Sequence, residues 1–268
     1  MERAGERVGR WLGAYFDWSE EQQEIAAFAL TLLISNLFTL ALLAALAAAA
    51  GVLPQALVMA ASAGALKAFA GGAHFSTGWR CGVVSALAAT GAAQVAAAAG
   101  PFLVQALAGG PGVLLAVALG AAVAAVMGRY APVDVPAKPI TSPRQRARLR
   151  AFAVALSLLW TALSAALFAA WGPGHVRSEW MGTLWLASAI GFLWESFSVL
   201  PPGMRFVCWL DQRIERIIHR NIKEELTMKR ILSAAILALL GVVAAANVAS
   251  ASAIFWHQPK VPKVLVRK

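Results

Sequence analysis

Long apolar runs separated by short polar breaks dominate the chain, and their lengths predict about six membrane-spanning helices. The first run extends from Ile25 to Ala50 and closes at a Gly51–Pro54 turn. A weaker run over 55–70 is interrupted by Lys67, which is costly in hydrocarbon unless it snorkels or meets a partner. A third run covers 82–107, and Gly109-Gly110-Pro111-Gly112 separate it from a fourth that ends near Met127. The fifth and sixth cover 151–171 and 180–200. A soluble domain would need polar residues spread over its surface; here they are confined to a few stretches. The expected architecture is an all-α membrane protein with two amphipathic helices beside the spans.

Those amphipathic helices follow from helical spacing. In 1–20, Val8, Trp11, Leu12, Tyr15 and Phe16 recur every third or fourth position among Arg3, Arg7 and Arg10, as in a helix lying in the membrane interface. After Pro201-Pro202-Gly203, an apolar stripe of Phe206, Leu210, Ile214, Ile217, Ile218 and Ile222 alternates with Arg213, Arg216, Arg220 and Lys223. This predicts a second in-plane helix, although a soluble packing helix would carry the same stripe.

Composition agrees: 60% of the 268 residues are hydrophobic and 13% charged. A net charge of +10 can signal nucleic-acid binding. Position argues for membrane lipid instead, because Lys and Arg collect between apolar runs and at the ends, as in cytoplasmic loops facing anionic lipid. With the N-terminus inside, the 71–81 segment, the 129–150 loop and everything after residue 200 fall on the cytoplasmic side. That loop carries Arg129, Lys138, Arg144, Arg146, Arg148 and Arg150, whereas the outer turns keep only Arg177. A multi-pass cell-membrane protein with cytoplasmic termini is expected. Arg3, Arg7 and Arg10 precede no cleavable apolar core, so no signal peptide is expected. Cys81 and Cys208 both fall near the reducing side, which argues against a structural disulfide.

Candidate chemistry sits in the polar segment Gly71-Gly72-Ala73-His74-Phe75-Ser76-Thr77-Gly78-Trp79-Arg80-Cys81. Cleavage of a peptide by cysteine needs a thiol and a base that converts it to a thiolate. Of His74, His175, His219 and His257, only His74 is close in sequence to a cysteine. A straight helix would separate His74 from Cys81 by about two turns, too far axially for a hydrogen bond, so Gly71, Gly72 and Gly78 are expected to bend the chain. Irregular backbone at membrane depth is tolerated where protein buries it or a cavity lies beside it. Lys67 and Arg80 add positive charge that would favour a thiolate at Cys81. Taken alone the spacing is a weak signal, and a cysteine at a helix start is commonly a packing residue. No metal or other cofactor is expected, since the His and Cys spacing matches no zinc pattern.

Lys67-Ala-Phe-Ala-Gly71-Gly72-Ala-His74 followed by Cys81 resembles the signature of accessory gene regulator B, the membrane cysteine endopeptidase of quorum sensing in Gram-positive bacteria. Lys67 stands where that family usually has arginine. A second block, Ala131-Pro132-Val133-Asp134-Val135-Pro136-Ala137-Lys138-Pro139-Ile140 followed by basic residues, resembles the family's cytoplasmic loop. The resemblance covers residues 1–227. It implies Cys81 as nucleophile, His74 as base, and Lys67, Gly71, Gly72, Asp134 and Lys138 in substrate recognition. Ser76, Thr77 or a backbone carbonyl are candidates for orienting the imidazole. Cys208 matches no motif and is expected to pack. A homodimer is also in keeping with the resemblance.

The composition restarts at Thr227-Met228-Lys229-Arg230, and residues 228–268 resemble a cyclic-lactone autoinducer precursor. They divide into a leader (228–249), a ring region (250–256) and a tail (257–268). Trp256-His257-Gln258-Pro259-Lys260-Val261-Pro262-Lys263 resembles the conserved region at the processing site. That implies a scissile bond between Trp256 and His257, recognition through Pro259, Lys260 and Pro262, and Ser252 in the place of the ring-closing nucleophile. Serine there either forms a lactone or stands in for a cysteine. The precursor fused in the chain is thus the expected partner, its leader lying in plane or re-entering; a seventh span is the alternative. Two other readings remain: a peptide transporter or exporter with His74 and Lys67 along its pathway, and an enzyme–precursor complex that does not turn over.

Overall fold

The computed structural model describes residues 2–107, 109–134, 140–170 and 178–222, and all regular structure among them is helical. The elements are α1 (Glu2–Tyr15), α2 (Glu20–Ala49), α3 (Leu53–Ala70), α4 (Gly78–Leu107), α5 (Gly110–Tyr130), α6 (Pro143–Ala170), α7 (Ser178–Val199) and α8 (Pro201–Ile222). Helices α2 to α6 are each long and apolar enough to cross a membrane, and α7 with α8 supplies a sixth span if that pair, bent by 88°, is counted as one. The six apolar runs are therefore helices α2 to α7, and the chain is an all-α membrane protein with several spans.

Local chemistry sets the helix ends. Ser19 and Gln22 form a reciprocal capping box: the Ser19 hydroxyl accepts from the Gln22 N–H (3.4 Å), and the Gln22 side-chain oxygen accepts from the Ser19 N–H (2.9 Å). Pro201 and Pro202 open α8, where their missing N–H groups cost nothing and their fixed φ suits a helix. Pro143 opens α6 in the same way, and the Ser142 hydroxyl accepts from the Gln145 N–H (3.4 Å). Arg144, Arg146, Arg148 and Arg150 consequently lie on the first turns of α6, not in the loop that their charge suggested.

The core is a cluster of buried side chains from α3, α5, α6 and α7, with α6 packed along α5 and α7 along α3 and α4. Trp160 stacks on Phe192 at 4.8 Å, and Phe168 meets Trp185 edge-on at 4.7 Å. Polar groups inside pair across helices: the Trp160 indole donates to the Ser188 hydroxyl (2.6 Å), and the Gln55 amide to the Thr183 hydroxyl (3.1 Å). Lipid tails are as apolar as leucine, so membrane helices associate through close packing of small residues rather than by escaping water. Gly191 and Gly100 do this on two sides of α7. A Cβ at Gly191 would lie 2.6 Å from the Met59 carbonyl oxygen of α3, and one at Gly100 would lie 2.6 Å from the Cα of Thr183.

The amphipathic N-terminal helix is α1. Its small-residue side runs along α2, where a Cβ at Gly9 would lie 2.8 Å from the Cα of Ala27, while Trp11 and Tyr15 are exposed. The chain divides into two compact units, Met1–Arg216 and Ile217–Lys268. The first contains α1 to α7 and most of α8; of the second, only Ile217–Ile222, the end of α8, is described.

Two glycines of this bundle are expected to respond oppositely to substitution. Gly191→Leu forces a side chain into the α3 backbone and should cost about 1–3 kcal/mol. Gly64→Ala, inside α3 with nothing within 4 Å of the new methyl, should be neutral or stabilising by about 0.5–1 kcal/mol. Thermal midpoints of the detergent-solubilised protein read both.

Candidate active site

Between Ala70 and Gly78 the chain leaves the helical conformation and crosses one end of the bundle. The break begins at Gly71 (φ +71°) and Gly72 (φ +123°), where L side chains are disfavoured. Close contacts add a second reason for glycine. A Cβ at Gly71 would lie 2.5 Å from the Val133 carbonyl oxygen, and one at Gly72 would lie 2.6 Å from Ser198 Oγ and 2.8 Å from Glu195 Oε1. Backbone bonds fasten the segment on both sides: Val133 N–H donates to Ala70 O (2.8 Å), and Ala73 N–H to Ser198 O (3.3 Å). Residues 71–77, residues 131–134 and the α7–α8 corner thus meet at one end of the bundle, in line with the expectation that all three share a side of the membrane.

Two carboxylates anchor the segment. Lys67 Nζ donates to Ala73 O (3.1 Å) and lies 3.8 Å from Glu195 Oε2, while Ser198 Oγ donates to Glu195 Oε1 (3.0 Å). Glu195 is 1% exposed, so this is the partner that a lysine in an apolar run requires. Three residues further along, Ser76 N–H donates to Asp211 Oδ2 (3.1 Å), and Arg80 NH1 donates to both Asp211 Oδ1 (3.2 Å) and Ser76 Oγ (3.1 Å). Arg80 NH2 lies 3.8 Å from Glu215 Oε1. Arg80 and Asp211 are both buried. Burial alone would raise the Asp211 pKa; the hydrogen bonds from Ser76 and Arg80 outweigh it and leave the carboxyl below its ordinary value.

These pairs correct the expected electrostatics. Lys67 and Arg80 do not act as uncompensated positive charges on Cys81, because each faces a carboxylate. Lys67, Gly71 and Gly72, expected to recognise substrate, make their close contacts here with the chain's own loop and with Glu195, Ser198 and Val133.

His74 stands between the two anchored residues Ala73 and Ser76, with its side chain exposed. Crowding by its surroundings, and then the charge of Lys67, hold its pKa below the ordinary 6.5. Cys81 is half-buried on the first turn of α4, its N–H donating to Thr77 O (3.1 Å). The non-helical path between them removes the fixed two-turn separation of a straight helix. Among the described residues no hydrogen bond joins imidazole and thiol, and the segment's bonds run instead to Lys67, Ser198, Asp211 and Arg80. Catalytic contacts in substrate-free sites are often long and tighten only with substrate. Neither hydroxyl considered as an orienter holds the imidazole: Ser76 Oγ accepts from Arg80, and Thr77 Oγ1 is buried without a partner among the described residues.

Asp134 is ion-paired to Arg146, whose hydrogen bond holds the carboxyl below its ordinary pKa. Arg146 also donates to Pro132 O (3.4 Å) and Ile140 O (3.3 Å), and Arg150 Nε donates to Ala131 O (2.8 Å). The basic turns of α6 therefore hold the 131–134 segment against the site. Cys208, expected to pack, is exposed and accepts from the Gln212 amide at 3.5 Å. Gly203, Val207 and Asp211, spaced by four, form the buried face of α8, and Cys208 lies about 100° away from it. Lys138, Ser252, Trp256, His257, Pro259, Lys260 and Pro262 lie outside the described residues.

Sequence reasoning missed Glu195, Ser198 and Asp211. Glu195 carried a usable signal, as an acid within an apolar run that already required a partner for Lys67. Asp211 carried one too, as an acid in a basic helix aligned with Gly203 and Val207.

Gly72→Ala would meet both the positive φ and the Glu195–Ser198 pair. It is expected to cost about 1–3 kcal/mol and to open the 71–77 segment to proteolysis before the rest of the bundle unfolds.

A family model described as accessory gene regulator B matches residues 6–199, from α1 to the end of α7. The match includes Lys67, His74, Cys81 and Glu195, while Asp211 lies beyond it. Comparison with curated proteins and with solved structures finds no match. With 6–199 matched, well over half of the chain, this protein belongs to the accessory gene regulator B family and has its role in that quorum-sensing system.

Proposed function

We propose that the chain is a cysteine endopeptidase that cuts the autoinducer precursor formed by its own residues 228–268 and closes the product into a ring. The observation that carries this reading is the anchored, non-helical segment with His74 at its middle and Cys81 just beyond it, inside the family match. The precursor assignment rests on the sequence resemblance around Trp256. On this reading the protein lies in the cell membrane of a Gram-positive bacterium, with both termini and the site on the cytoplasmic side, as the positive charges favour.

The chemistry follows from the residue types. Neutral His74 removes the proton of Cys81, and the thiolate attacks the Trp256 carbonyl. The imidazolium then protonates the departing amine of His257, the Trp256–His257 bond breaks, and a thioester to Cys81 remains. Neutral again, His74 takes the proton of the Ser252 hydroxyl as that oxygen attacks the thioester. The C–S bond breaks, a five-residue lactone closes over Ser252–Trp256 while still joined through Ala251 to the preceding chain, and the proton returns to the sulfur of Cys81. Transfer from thioester to ester runs downhill, so no ATP is required. Ring closure must outrun hydrolysis; proximity of Ser252 and a site walled by helices both favour it.

Mass spectrometry of membranes containing the chain is expected to find the peptide His257–Lys268 released, with none from Cys81→Ala. Equal release from both would remove Cys81 from the reaction, and a linear product would remove the cyclisation step. The pH dependence has a definite sign. Because the His74 pKa lies below 6.5, the active neutral form persists under mild acid, and kcat/KM should fall only as the pH drops through that lowered value. Lys67→Met removes a neighbouring cation and should move this acid limb upward.

A further inference from the structure

We propose that Asp211 of α8 is a positioning residue for the reaction, acting through Ser76 and Arg80 to fix the His74 segment against the first turn of α4. The proposal rests on the roles given above to His74 and Cys81, and it adds a residue outside the family match.

The geometry gives Asp211 two simultaneous tasks. Oδ2 accepts the Ser76 backbone N–H, two residues from His74, and Oδ1 accepts from Arg80, the residue before Cys81. Arg80 closes the ring by donating to Ser76 Oγ. One buried carboxylate therefore sets the spacing between the piece of chain bearing the imidazole and the turn bearing the thiol. Ala73 is already fixed on the other side of His74 through Lys67 and Ser198. Without Asp211, the Ser76 side of the segment loses its direct bond to α8 and is tied there only indirectly, through Arg80 and Glu215. Asp211 itself is held by the fold: it lies on the buried face of α8 with Val207, and α8 is oriented by the 88° corner at Pro201. In such a site a displacement of about 1 Å can cost on the order of a hundredfold in rate, with little effect on binding of a peptide held elsewhere.

The test uses the full chain with Cys208→Ser, so that Cys81 is the only thiol, and a separately supplied peptide of residues 228–268 as substrate. Asp211→Asn is expected to lower kcat at least tenfold with KM within about twofold. It should also raise the rate of Cys81 alkylation by iodoacetamide at fixed pH at least twofold, because the Ser76 end of the segment is no longer held against the first turn of α4. Replacing a buried ion pair by apolar residues is often tolerated, whereas removing one partner is not. The double variant Arg80→Met/Asp211→Leu therefore separates folding from positioning: with a retained thermal midpoint it should show the same loss of kcat and the same faster alkylation. Ser76→Ala, at an exposed position, should give a milder loss of about threefold. A parental kcat and alkylation rate in Asp211→Asn or in the double variant would overturn the proposal, as would an unchanged kcat in Ser76→Ala should the other two fail to fold. Undiminished turnover by Cys81→Ala would instead overturn the underlying reading of the site. The alkylation rate needs no turnover, so it still reports whether Asp211 couples the two residues.

Discussion

A stretch of non-helical backbone at the end of a membrane bundle must find partners for every polar group that it frees, because neither lipid nor a helix ladder supplies them. Residues 71–77 meet much of this constraint with two lysine- or arginine-centred clusters, Lys67–Glu195–Ser198 and Arg80–Asp211–Ser76, while Thr77 Oγ1 is left without a partner among the described residues. Each joins a cation from the helix flanking the break to a carboxylate brought from the C-terminal helices. Leaving either carboxylate or cation alone would strand a charge in a poorly solvated place, which costs far more than the pair contributes. The rest of the arrangement serves this junction. Small residues let α7 approach α3 and α4 closely enough to present Glu195, and the turn at Pro201 swings Asp211 under Ser76.

The same constraint explains the glycines. Gly71 and Gly72 combine positive φ with contacts that a methyl group would violate, so the segment can press onto Val133 and the Glu195–Ser198 pair. His74 then projects from a short span fixed at Ala73 and at Ser76, exposed enough to receive a substrate and crowded enough for a lowered pKa. On the proposed reading, this imidazole and the thiol on the first turn of α4 are the two groups that acyl transfer through sulfur requires.

Much of this was legible in the chain. Run lengths give helices α2 to α7, although α6 begins eight residues before its expected start at 151, the spacing of Trp11 and Tyr15 and of Leu210 and Ile214 gives α1 and α8, and paired glycines mark the break before His74. Pairings across the bundle were not legible, because a single sequence says which residues are unusual but not which of them meet. Lys67 in an apolar run needs a partner, yet only packing brings Glu195 to it across 128 positions of chain. The sequence likewise does not show that Arg80 meets Asp211. The charge of Arg144 to Arg150 points to a loop, whereas Ser142 and Pro143 start α6 there; Cys208 matches no motif and is expected to pack, whereas Val207 and Asp211 take the inward face of α8.

The claim on which the account rests is that Cys81 carries the acyl group. Rapid acid quenching of the full chain, followed by peptide mapping, should find the Cys81 peptide joined to the carbonyl of Trp256 by a bond that hydroxylamine cleaves, and His74→Ala should abolish it. Release of the tail with no hydroxylamine-sensitive adduct on Cys81 at any quench time, in a Ser252→Ala chain that cannot close the ring, would contradict it.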